Sequence, residues 1–126
     1  MNISLIVSTF PNAKEARKVA MMLLKERLVA CATILNKAES FYWWKGKIER
    51  GKEVVMIIKT RKNLTDKVYE KLRVHHPYTV PEIIELNVSG GNKEYIEWIY
   101  TVTGDATKKD RKRGENKESN EKKLKN

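Results

Sequence analysis

The chain has 126 residues, 40% apolar and 33% charged, a balance that fits one soluble globular domain and leaves no run of about 18 apolar residues to span a bilayer. Its 26 basic residues against 16 acidic ones give a formal charge of +10, carried both by residues 1–104 and by 105–126, so charge alone does not mark a nucleic-acid binder. A single cysteine, Cys31, excludes an intrachain disulfide framework, and with no leader pattern after Met1 the expected compartment is the reducing cytoplasm.

In chain order, Ile3 to Thr9 reads as a β-branched first strand ended by Phe10-Pro11-Asn12. Asn12, followed three residues later by Glu15, is a helix start, and Ala16, Val19, Ala20, Leu23 and Leu24 make an apolar stripe that predicts a helix to about Arg27. Leu28 to Leu35 reads as a second strand, and Ser40 to Trp44 either continues it or forms a strand of its own. Lys45-Gly46-Lys47 is a turn, residues 48–52 are polar, and Glu53 to Thr60 is a third strand with five successive apolar residues. Asn63 opens a second helix whose stripe of Leu64, Val68, Leu72 and His75 ends at Pro77. Ile83 to Val88 is a fourth strand. Asn92 then caps a last helix with Tyr95, Trp98, Ile99 and Val102 on one face, Ile96 and Tyr100 on a second, and Gly104 as its stop. Residues 105–126 lack aromatic and β-branched apolar side chains and are expected to be a disordered charged tail to a 1–104 domain.

That order is the ferredoxin-like βαββαβ arrangement, an α+β fold with an antiparallel sheet, here with an additional C-terminal helix. Two helices cover one side of such a sheet, yet the second and third strands are apolar on both. Copies of the same chain are the economical cover for the free face, and the surplus aromatics Phe41, Tyr42, Trp43, Trp44 and Tyr100, with Ile96, are the expected interface.

Chemistry concentrates in 75–83, which holds both histidines and two of the three prolines. Adjacent histidines diverge, so both binding one ion is disfavoured. His75 continues the helix stripe and reads as a half-buried packing residue. His76, held extended by Pro77, is either a ligand or proton-transfer group or a structural hydrogen-bond partner. Glu82 follows Pro81 into the same region, and imidazole with carboxylate suits copper or zinc. Cys31 is either an inert core residue or a thiolate ligand. Ser89-Gly90-Gly91-Asn92 lacks the lysine and length of a phosphate loop, no nucleophile elbow occurs, Phe10-Pro11-Asn12 lacks the arginine of acylphosphatase-type chemistry, and the third strand lacks base-stacking aromatics. No catalytic set is found.

Several blocks together resemble the CutA divalent-cation tolerance proteins: Ser8-Thr9-Phe10-Pro11, Glu26 to Ala32, Tyr42 to Glu49, Glu53 to Thr60, His76-Pro77-Tyr78 and Val80-Pro81-Glu82-Ile83, in order over about 3–103. The resemblance implies a homotrimer of ferredoxin-like subunits, similar to PII-type signalling proteins, and a role in tolerance of copper and other divalent metals. It implies a metal site at clefts between subunits, with His76, Glu82 and Cys31 as candidate ligands and Lys59, Arg61 and Tyr78 lining the cleft. Two departures matter: Thr79 stands where many members carry an acidic residue, and Thr33 where an asparagine is frequent. The alternative is a PII-like sensor that holds a small anionic metabolite with Lys59 and Arg61. Nucleic-acid binding through 105–126 is a third, disfavoured reading, and a membrane partner is not expected.

Overall fold

The computed structural model describes residues 2–104 of the 126, so the expected tail lies outside the described residues. Eight elements follow one another: strand β1 (Ile3–Phe10), helix α1 (Ala13–Lys25), β2 (Cys31–Trp44), β3 (Lys47–Arg61), a 3-10 turn (Lys62–Leu64), α2 (Thr65–His75), β4 (Ile83–Asn87) and α3 (Lys93–Val102). All strand pairings are antiparallel in the order β2-β3-β1-β4, the expected ferredoxin-like α+β fold with its extra helix.

Local chemistry sets the boundaries. Asn12 Oδ1 accepts from the Glu15 amide at 2.9 Å, capping α1 as its sequence predicts. At the other end Arg27 takes φ +60°, its amide donates to Leu24 O and the Leu28 amide to Leu23 O, a Schellman closure made without glycine. That closure consumes Leu28, so β2 starts at Cys31 and not at Leu28 as expected. Leu28 and Val29 drop into the core instead. The second helix likewise starts at Thr65, because Lys62–Leu64 forms a 3-10 turn held by Thr65 Oγ1 donating to Lys62 O at 2.8 Å.

Alternation along β1 sorts the two faces of the sheet. Ile6, Phe10, Val54, Met56 and Ile58 point to α1 and α2 and pack against Val19, Leu23, Val68 and Leu72. The opposite face carries Leu5, Val7, Val55, Ile57, Leu35, Ile84 and Leu86 by register. Only its far end is covered, where α3 sets Ile99 and Val102 against Ile3 and Ala30. Arg61 locks that helix down: its guanidinium donates to Thr103 Oγ1 at 2.8 Å, to Tyr100 O at 2.6 Å and to Thr103 O, satisfying carbonyls the helix end leaves free.

The β2–β3 hairpin is longer than the sheet that carries it. Pairing of β3 with β1 stops at Val54, while β2 and β3 continue to Trp44 and Lys47. The stretch 48–52, read as polar and outside the third strand expected from Glu53, is therefore strand, and residues 38–53 form an arm beyond the sheet. A register shift between Leu35 and Ala38, with Lys37 at φ +62°, marks where the arm departs.

Candidate functional site

A cleft of about 1030 Å³ lies where the arm meets the Pro77–Pro81 joint, lined among others by Thr9, Tyr42, Trp44, Glu53, Tyr78 and Glu82. The joint is fixed from beneath by His76. The stripe Leu64, Val68, Leu72 advances in steps of four and so reaches His76, which is buried, while His75 is exposed rather than half-buried as expected. The imidazole stacks on Phe10 with ring centroids 4.3 Å apart and an interplanar angle of 21°. Its Nδ1 accepts from the Tyr78 amide at 3.1 Å, so the neutral ring carries its proton on Nε2, which lies 3.2 Å from Ser8 Oγ. Burial pushes the His76 pKa below its ordinary value, and a hydrogen bond with the Thr9 backbone opposes this in part.

The joint thereby delivers Tyr78 to the arm. Its hydroxyl donates to Glu53 Oε2 at 3.4 Å, and burial first, then the Glu53 carboxylate, raises the phenol's pKa. Glu82 lines the same cleft, is exposed, and forms no hydrogen bond or ion pair among the described residues. Two carboxylates and a phenol thus share one hollow. Glu53 is the partner that sequence reasoning missed. It stands at the head of an apolar strand, and only the tertiary contact of the folded joint with the arm brings it to Tyr78.

The remaining candidates are dispersed. Cys31 pairs in register with Lys59, its Sγ is 3.7 Å from Thr33 Oγ1, and it lies on the open face, whereas Ser8 beneath His76 points to the helices. Three residues of strand, about 10 Å, separate it from the rung of Ser8. Lys59 Nζ donates to Tyr95 Oη at 3.4 Å and lies 5.6 Å from that ring's centroid, and Arg61 serves the end of α3. Neither basic residue lines the cleft. Of the expected interface residues, Tyr42 and Trp44 line the cleft, Trp43 is 73% exposed on the arm, and on α3 Ile96 is half-buried and Tyr100 exposed.

The donor set in one subunit is therefore incomplete for a metal. Both ring nitrogens of His76 are engaged, Cys31 is level with Lys59, six residues along β3 from Glu53, and among the described residues no three His, Cys, Asp or Glu side chains gather closely enough to hold an ion. A second carboxylate network stands apart from the cleft: Glu85 accepts from Tyr69 Oη, from Ser4 Oγ at 2.8 Å and from Lys62 Nζ at 2.9 Å. The Tyr69 bond, followed by that of Lys62, lowers the Glu85 pKa, while burial and Glu85 push Tyr69 up to about 12.

Comparison with known proteins places this geometry. The family profile of the CutA1 divalent ion tolerance protein matches residues 4–102. The chain is 46% identical over 99 residues to the divalent-cation tolerance protein CutA of Pyrococcus horikoshii, covering 79% of this chain and 96% of that one. It is 41% identical over 95 residues to the chloroplastic CutA 1 of Oryza sativa, covering 75% of this chain but 54% of that relative, so it spans about half of the plant protein. It is similar in structure to a protein described as the periplasmic divalent cation tolerance protein CutA of Archaeoglobus fulgidus, with a TM-score of 0.76 at 37% identity over 79% of this chain and 97% of the other. The matched span runs from the second residue of β1 to the last of α3, and the chain belongs to the CutA1 divalent ion tolerance family.

Proposed function

We propose that this protein binds divalent metal without catalysing a reaction, in the cleft between the arm and the Pro77–Pro81 joint. Glu53 and Glu82 are the ligating carboxylates and Tyr78 lines the site. The observation that carries the reading is the presence of two carboxylates in one hollow of a family associated with divalent ion tolerance. His76 acts beneath the site by holding Tyr78 and leaves no ring nitrogen for a metal of its own subunit. Because one subunit supplies too few ligands, the set is completed by a neighbouring copy, in the homotrimer that the family resemblance implies. The interface falls on the open sheet face, Trp43, Ile96 and Tyr100. Copper is the first metal to try, since a given nitrogen and oxygen site binds Cu(II) most tightly among first-row divalent ions. The expected compartment is the cytoplasm; among the described residues no helix is long and apolar enough to cross a membrane.

Calorimetric titration of the full chain with Cu(II) tests the site. Glu53→Ala and Glu82→Ala should each weaken binding by about tenfold or more. Unchanged affinity in both would remove the cleft from metal binding.

A further inference from the structure

We infer that the cleft also takes an organic cation, an aliphatic diammonium, held by its aromatic walls as well as its carboxylates. This rests on the reading of the cleft as a cation site and extends it to a second ligand class. The dimensions are the first argument. A hollow of about 1030 Å³ matches the 300–1,000 Å³ of small-molecule sites, whereas an ion and its ligand shell need the space of a few atoms. The walls are the second. Phe41, Tyr42, Trp44 and Tyr78 bring four aromatic side chains to one cavity, and ring faces attract an ammonium and shield methylenes while offering a hydrated metal ion little.

Charge is the third argument. In a chain of formal charge +10, this cleft carries Glu53 and Glu82 against one cation, Lys52, so its lining is net negative. Glu82 has no partner among the described residues, and Glu53 receives only the long Tyr78 bond of 3.4 Å, so both carboxylates have free acceptor capacity. A diammonium has one ammonium for each carboxylate and a methylene chain that the aromatic lining can shield. A monoamine satisfies only one.

The test uses the full chain freed of metal with a chelator and then dialysed, titrated with 1,4-diaminobutane at fixed ionic strength. Calorimetry and tryptophan fluorescence are the readouts, and 1-aminobutane and Cu(II) are separate arms. The expected result is saturable diamine binding, about tenfold weaker for the monoamine, and about tenfold weaker in Glu82→Gln and in Trp44→Leu, both at exposed positions with circular dichroism unchanged. Uptake of Cu(II) at the cleft with no response to the diamine would overturn the inference and leave the metal reading standing. Diamine binding unaffected by both variants would overturn it as well. Diamine binding with no Cu(II) uptake would support it and remove the metal reading.

Discussion

Protonating His76 would set an N–H of the ring against the Tyr78 amide, which now donates to Nδ1, so the folded protein resists the charge that the unfolded chain accepts freely. Burial, which lowers the folded pKa, states the same fact energetically. As pH falls below the ordinary imidazole value of about 6.5, the unfolded chain takes up the proton first, binds more protons than the folded one, and stability declines until the lowered folded pKa is reached. Denaturant midpoints measured between about pH 5 and 8 should therefore fall toward acid in the wild type and fall less steeply in His76→Gln. Equal slopes would mean that His76 is not the group responsible. The carboxylate network follows the opposite chemistry. Glu85 is held ionised by donors, so Tyr69→Phe should cost about 1–2 kcal/mol at neutral pH and let the Glu85 pKa return upward, which carboxyl-carbon NMR titration reads directly.

Among the elements, the hairpin arm is the one whose stability is separable from the rest. Its tip, Lys45 and Gly46, has φ of +50° and +77°, the paired left-handed residues of a two-residue turn that suits the twist of the flanking strands. Gly46→Val forces a β-branched residue into that region, a strain of about 1–2 kcal/mol. Among the described residues, 38–53 have no strand partner beyond the hairpin itself, so this strain should appear as roughly tenfold faster amide exchange in the arm. Exchange in 54–61, which β1 also pairs, should be unchanged. Faster exchange along the whole of β3 would show that the arm and the sheet open together. The same element shows where sequence legibility ends. The stripes of α1 and α2 and the caps Asn12 and Asn92 were readable because a helix is decided by neighbours three and four residues away. The length of β3 was not, because residues 49–52 carry no apolar side chain for want of a core and are strand because they have a partner, the aromatic half of β2. His75 is exposed and not half-buried for a related reason: a stripe in steps of four continues past the last helical residue and buries His76, the structural hydrogen-bond partner of the two readings its sequence allowed. Tyr78 and Glu82 in the cleft, and His76 beneath it, stand out by type and by their prolines. Glu53 is found only through its contact with Tyr78, which is 25 residues away in the chain.

At the scale of the molecule, the two faces of the sheet are finished to different degrees. One is sealed by α1 and α2, while the other leaves Leu35, Ile84 and Leu86 each about half exposed, at 50%, 52% and 49%, with only its end under α3. The arm adds Phe41, Trp43 and Ile48 at 66%, 73% and 65%. Large apolar side chains left exposed on the sheet face and on the arm are what a subunit interface covers, and the proposed trimer uses them. A formal charge of +10 per chain works against association, so an assembly of this protein must be driven by apolar burial and should tighten, not loosen, as salt screens the like charges. Light scattering coupled to size exclusion should give three times the mass of one chain at both low and high salt. Leu35→Lys with Ile84→Lys, on the open face and away from the α1 and α2 core, should yield a folded single chain with unchanged helical circular dichroism. A wild type that runs as one chain would sink the trimer and with it the completion of the metal site by a neighbour. A trimer that survives both lysines would instead move the interface off the sheet and onto the arm, where Trp43→Glu is the next substitution to make.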